Sequence, residues 1–280
     1  MTERASPLDR LRQRLERLQA PLCLGIDPHP DALPDDLPRD VQGVETFARG
    51  LLEAAGPEAV AIKVNVAFFE AFGSAGWAAL ERLRGDVPID QPLILDAKRG
   101  DIGSTAERQA ASLFGGLDAD GVTLSPYLGE DAIAPFLAYP DRLIYVLART
   151  SNPSAGTVQD LPVERDQTPR TVHEEVAAWV ARRWPEPRVG LVVGATAPGE
   201  LASLRRQVPE PAFLVPGIGT QGGDLEAAVR SCSGTRAPGL VNVSRSIAAA
   251  SSGGDWRSAA AESARGWAAA MTEVGATLPA

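Results

Sequence analysis

Residues 92–105 read Pro92-Leu-Ile-Leu-Asp-Ala-Lys-Arg-Gly-Asp-Ile-Gly-Ser-Thr105. The stretch is an apolar strand as far as Asp96 and then fills with charge. Residues two apart on a strand face the same way. Ile94, Asp96 and Lys98 therefore share one face, and Leu93, Leu95 and Ala97 share the other. The apolar face must be covered by helices. The charged face then points into whatever the strand helps to enclose.

Seven more apolar runs flank this one: Leu22–Ile26, Val60–Val64, Gly121–Leu124, Leu143–Ala148, Val189–Val193, Phe213–Val215 and Leu240–Val243. The strand of the opening stretch itself is Leu93–Ala97. Several runs are rich in Val, Ile and Leu without clean alternation, as parallel strands covered on both faces are. Helical patterns fall between them, near 42–55, 69–84, 103–114, 129–138, 169–184, 198–207, 222–231 and 255–273. Eight strand–helix units in about 250 residues predict an α/β fold, the (β/α)₈ TIM barrel. A doubly wound open sheet is the main rival. No linker breaks the order, so residues 1–280 are expected to form one barrel domain. An extra helix, Leu8–Leu18 within residues 1–20, precedes the first strand. Residues 153–170, PSAGTVQDLPVERDQTPR, are polar and patternless and read as a loop insertion on the active-site side.

The 280 residues are 44% hydrophobic and 22% charged, the balance of a globular protein. Twenty-seven basic against 36 acidic residues leave a net charge of −9. That argues against a general nucleic-acid or anionic-membrane binder, though not against a small anionic ligand at a local site. The two cysteines, Cys23 and Cys232, make neither a disulfide framework nor a zinc spacing. The charged N-terminus is no signal peptide, and no apolar run approaches the ~18 residues of a membrane span. A cytoplasmic protein is expected.

On the barrel reading, Asp96 and Lys98 point into the mouth at the C-terminal end of the strands, where barrel active sites lie. Lys63 and Asp27 end their own strands in the same way. A structural ion-pair network would use the same residue types. Four converging charges are costly to desolvate, however, and seldom bring net stability. The spacing DAKRGDIGST closely resembles the Asp-x-Lys-x-x-Asp-Ile-x-x-Thr signature of the orotidine 5′-phosphate decarboxylase family. Asp27, Lys63, TSNPSAG after the fifth strand, PGIGTQGGD after the seventh and NVSRSI after the eighth resemble that family's segments in the same order, over residues 22–247. VVGAT at 192–196 and the long loop near 153–170 look like its longer bacterial, type 2 branch.

The resemblance implies decarboxylation of orotidine 5′-monophosphate to uridine 5′-monophosphate (UMP), the last step of pyrimidine biosynthesis, without metal or organic cofactor. Lys98, kept protonated by flanking carboxylates, would stabilise a carbanion at C6 and protonate it. Asp96 would lie near the departing carboxylate, while Lys63 and Asp27 would hold ribose hydroxyls and fix the row. Asp101, Ile102 and Thr105 would complete the site of a neighbouring subunit, which implies a homodimer. Pro216, Gly217, Gln221, Gly222 and Gly223, with Arg245, would hold the phosphate. Ser151 would bond the pyrimidine amide edge.

The residues give some of this independently. GIGTQG at 217–222 fits a dinucleotide-binding pattern, but it follows the seventh strand and the matching region 237–241 has no carboxylate. A phosphate site after strands seven and eight of a barrel fits better. Of two histidines, His173 reads as a solvated residue of an outer helix, and His29 as peripheral to the site. Asn242-Val-Ser244 matches a glycosylation pattern but falls in a core strand. The rival enzyme is a magnesium-dependent keto-sugar phosphate decarboxylase with the same Asp-x-Lys-x-x-Asp core, and it carries a Glu ligand where this chain has Lys63. The rival of another class is a catalytically silent barrel that only binds a nucleotide phosphate.

Overall fold

Eight apolar runs form parallel strands: β1 (Leu22–Ile26), β2 (Ala61–Asn65), β3 (Leu93–Arg99), β4 (Gly121–Leu124), β5 (Leu143–Arg149), β6 (Val189–Val193), β7 (Phe213–Val215) and β8 (Leu240–Val243). Each pairs with the next in chain order. β8 pairs with β1, Cys23 opposite Asn242, which closes the sheet into a barrel. This computed structural model describes residues 4–165 and 168–277.

Alternation along the strands sorts the side chains into two layers. Leu22, Leu24, Ile26, Ile62, Val64, Leu93 and Leu95 face outward and pack against the helices. Cys23, Ala61, Ile94, Leu143, Tyr145, Val192, Leu214 and Leu240 face inward and fill the barrel. The predicted N-terminal helix, Pro7–Leu18, covers the barrel floor and inserts Leu11 into that inner layer at 0% exposure. Such burial is worth about 1.5–3 kcal/mol. Next to Leu11, the buried Arg10 pairs with the carboxylate of Asp120. Asp120 also accepts the backbone N–H of Leu93 at 2.9 Å. The floor is thus closed by Leu11 and the buried Arg10–Asp120 pair, and the charged strand ends gather at the opposite rim.

Several boundaries differ from expectation. β3 runs through Asp96 and Lys98 to Arg99, and β5 runs to Arg149. Both slip register near their ends, between Leu95 and Arg99 and between Leu147 and Arg149. The helix expected at 69–84 is broken at Gly73, whose φ is +58°, into Ala67–Glu70 and Gly73–Asp86. The helix expected at 129–138 is only two short turns, Glu130–Ala132 and Ala134–Leu137, because Pro135 removes a backbone donor. Residues 153–170 are not patternless. They hold a helical turn, Gly156–Gln159, and an antiparallel hairpin of Pro162–Arg165 with Thr168–Thr171. Among the described residues, no helix is long and apolar enough to cross a membrane.

Candidate active site

The end of β3 departs from regular strand geometry. Lys98 has φ +44°, in the left-handed region that side chains other than glycine rarely adopt. The turn of the backbone there lets Asp96 and Lys98 meet. Asp96 Oδ1 accepts from Lys98 Nζ at 2.7 Å and from Thr123 Oγ1 at 2.8 Å, and Asp96 Oδ2 accepts from Lys63 Nζ at 3.1 Å. Thr123 Oγ1 also accepts the backbone N–H of Lys98 at 3.0 Å, which pins the strained residue to β4. Behind Lys63 stands Asp27, with Oδ1 at 3.6 Å and Oδ2 accepting from Ser244 Oγ at 2.6 Å. The side chain of Asp96 is 13% exposed and that of Lys98 is 48% exposed, so Lys98 is the member that reaches furthest into the opening.

Electrostatics follows from this spacing. Burial alone would push the Lys63 ammonium down. The carboxylates of Asp27 and Asp96 outweigh it and hold Lys63 above the ordinary lysine range. Burial alone would raise Asp96, but Lys63 and Lys98 hold its carboxyl well below the usual range. Both groups are therefore charged at neutral pH.

The row opens into a cavity of about 370 Å³. Leu147, Val192, Leu214 and Pro216 give it an apolar wall, and Thr150, Ser151, Gly217, Gln221 and Arg245 line the side across from the charged row. An apolar wall with a few convergent polar groups is the pattern of a small-molecule site. A larger hollow of about 600 Å³ lies against the N-terminal ends of β1 and β8, beside Pro21 and Pro238, and includes none of the charged row. Chemistry rather than volume makes the smaller one the site.

A family model for the orotidine 5′-phosphate decarboxylase / HUMPS family matches residues 20–261. The chain belongs to this decarboxylase family. It is 50% identical over 251 residues to the orotidine 5′-phosphate decarboxylase of Roseiflexus castenholzii, covering 89% of this chain and 91% of the relative. It is 41% identical over 264 residues to that of Bordetella pertussis, covering 92% and 95%. The structure of Leishmania donovani OMP decarboxylase superposes with a TM-score of 0.79 at 38% identity, covering 96% of this chain and all (100%) of that one.

Within this decarboxylase, Lys63, Asp96, Lys98, Asp27, Ser151, Pro216, Gly217, Gln221 and Arg245 come together around one cavity. Gly222 and Gly223 do not line it: their N–H groups donate to the carbonyls of Gly219 (2.8 Å) and Gly217 (3.0 Å). They shape the loop rather than face its opening. At Gly223 a Cβ would meet the Gly217 carbonyl oxygen at 2.5 Å, so the turn excludes any side chain there. Asp101, Ile102 and Thr105 also lie outside the cavity, and Asp101 accepts the N–H of Ile102 at 2.8 Å. Thr123 and Ser244 are the residues that sequence reading missed. Their one signal was a hydroxyl at an inward strand position or just past a strand end, without charge to mark it.

The decarboxylase has no solvated histidine at 173. His173 is buried, and its Nδ1–H donates to the carbonyl of Gln159 at 2.8 Å, because the hairpin folds back over the helix Val172–Arg183. His29 caps the turn Pro30–Ala32 by accepting the N–H of Asp31 at 3.3 Å, away from the cavity. Cys23 and Cys232 are free and buried, and burial pushes each thiol up to about 12. Among the described residues, Asp160, His173 and Glu200 are the one group close enough to share a metal ion. Arg149 already pairs with both of its carboxylates, at 3.4 and 2.5 Å, so the group reads as an ion-pair network. Between Asp27 and Asp96 the ammonium of Lys63 stands where a cation would.

Proposed function

We propose that this carboxy-lyase decarboxylates orotidine 5′-monophosphate to UMP at the Lys63–Asp96–Lys98 row. The observation that carries the reading is the Lys98 ammonium, held 2.7 Å from the largely buried carboxylate of Asp96 at the mouth of an apolar-walled cavity. The phosphate lies against Arg245 and the Gly217–Gln221 loop, and the ribose hydroxyls against Asp27 and Lys63. The pyrimidine rests on Leu147, Val192, Leu214 and Pro216, with its amide edge at Ser151. Its carboxylate then meets Asp96. The C6–carboxyl bond breaks, carbon dioxide leaves, and the electron pair stays on C6 of the ring. Lys98, fixed in place beforehand, stabilises that charge at no cost of reorganisation. A proton moves from Nζ to C6, and the neutral amine recovers one from solvent. Binding the remote phosphate supplies free energy to orient the ring. Asp101, Ile102 and Thr105 complete the site of a partner copy in a homodimer.

The test is a spectrophotometric assay of purified protein in excess EDTA. The expected result is consumption of orotidine 5′-monophosphate. Lys98→Ala lowers kcat by at least about 100- to 1000-fold, as loss of one preorganised charge contact does. Because Lys98 is half exposed, the variant stays folded. Activity that EDTA removes would point to the magnesium-dependent relative, and UMP binding without turnover to a silent barrel.

A further inference from the structure

The chain after β5 folds back on itself. The side chain of Gln159 meets Thr150 twice: the Thr150 backbone N–H donates to Oε1 at 2.9 Å, and Nε2 donates to Thr150 Oγ1 at 2.7 Å. A carboxamide can do this because it carries an acceptor and donors on one rigid plane. Thr150 immediately precedes Ser151, and both line the cavity. Ser151 packs closely against Gly194 and Gly217, but its hydroxyl is weakly held. Its hydroxyl makes one side-chain hydrogen bond among the described residues, to Gln221 Oε1 at the long distance of 3.5 Å.

Gln159 is itself held from two sides. Its carbonyl accepts from the buried His173, and its Oε1 accepts from Arg149 Nη1 at 3.3 Å. Arg149 is fixed by Glu200 at 2.5 Å and by Asp160 at 3.4 Å, and Asp160 lies 3.4 Å from His173. Helix Val172–Arg183 supplies His173, and helix Pro198–Gln207 supplies Glu200. Two outer helices are thereby tied to the turn at the cavity mouth, one through the main-chain carbonyl of Gln159 and the other through Arg149.

We propose that Gln159 is a positioning residue whose amide clamps Thr150 and so fixes Ser151 against the amide edge of the pyrimidine. This rests on the assignment of Ser151 to the substrate. Residues 153–170 then preset the turn that the ring must meet. A misplacement of about 1 Å in such a contact costs about 100-fold in rate.

Steady-state kinetics and UMP affinity of five variants test it. Gln159→Ala removes both bonds and is expected to lower kcat/KM about 10- to 100-fold and to weaken UMP binding. Gln159→Glu keeps the acceptor for the Thr150 N–H but loses the Nε2 donor, because the Thr150 hydroxyl already donates to Asn152 Oδ1 at 2.6 Å, and so it recovers part of the loss, which a merely space-filling role would not distinguish. Should Gln159→Ala fail to fold, Thr150→Val removes the hydroxyl half of the clamp, together with the Thr150 bond to Asn152 Oδ1 at 2.6 Å, keeps the backbone half and lowers kcat/KM less. The double variant Gln159→Ala/Ser151→Ala is no worse than Ser151→Ala, because coupled residues are not additive. The clamp is overturned if Gln159→Ala matches wild type while Ser151→Ala does not, or if the two losses multiply. An inert Ser151→Ala beside a damaged Gln159→Ala overturns the role of Ser151, and with it the route through which Gln159 acts. A wild-type chain that binds UMP without turnover overturns the decarboxylase reading instead, and UMP affinity then still reads the clamp.

Discussion

At Asp96 one carboxylate answers two ammonium groups, and that ratio sets its pH behaviour. Its carboxyl is held below the ordinary value near ~3.9, so its contribution to stability is complete above about pH 4 and is lost as pH falls through the folded value. Lys63 is the mirror case, raised by its carboxylates. Its contribution is complete below ~10.4 and is lost as pH rises through the folded value. The pair is intact across the neutral range. Asp96→Asn removes the acid-side term, leaving a buried ammonium with less compensation. The variant therefore melts below wild type at pH 7, and the gap narrows as pH falls below about 4, where the unfolded wild-type chain takes up a proton at Asp96 while the folded carboxylate stays ionised. Melting temperatures of both proteins across that range check this. A constant gap would mean that Asp96 is not stabilised by its lysines.

The end of β3 shows how an element serves a site at a local cost. Lys98 sits at φ +44°, where a side chain costs about 1–2 kcal/mol. The hydrogen bond to Thr123 and the ion pair with Asp96 hold it there. Lys98→Gly and Lys98→Ala both remove the ammonium and with it turnover, but only glycine suits the backbone. Urea unfolding should find the glycine variant at least as stable as the alanine variant, by up to about 1 kcal/mol. A clearly less stable glycine variant would remove the case for strain. This element also marks how far sequence could be read. Alternation correctly put Ile94 and Asp96 inside, because the pleat persists that far. It could not foresee the register slip, which depends on how β3 meets β4. Charge announced Lys63, Asp96 and Lys98, whereas the hydroxyls of Thr123 and Ser244 carried no comparable signal. His173 and the hairpin were misread because residues 153–170 carry no apolar alternation, so nothing in them announced that they pair and fold back over His173.

On the scale of the whole molecule, large apolar side chains stand exposed at the rim. Ile102 is 53% exposed, Tyr127 86% and Leu128 48%, on the loops after β3 and β4, which Gly100 packs against Ser125. Exposed apolar side chains grouped in this way fit a covered surface better than a solvated one. Asp101 lies in the first of these loops and Thr105 in the first turn of the helix that follows it, Gly103–Ala110, and neither lines the cavity of its own chain. If each instead completes the cavity of a two-fold partner, the site residues divide into two sets contributed by different subunits. Lys98→Ala breaks one set and Asp101→Ala the other, so each purified homodimer is inactive. Mixed and allowed to exchange subunits, half of the dimers become hybrid, and each hybrid holds one site with Lys98 from one chain and Asp101 from the other. Activity should recover to about a quarter of wild type, the fraction that two-fold symmetry allows. Sedimentation would report the dimer in all three samples, and Ile102→Asp would shift it toward monomer. A mixture that stays as inactive as its components, despite demonstrated exchange, would place Asp101 in the service of its own chain.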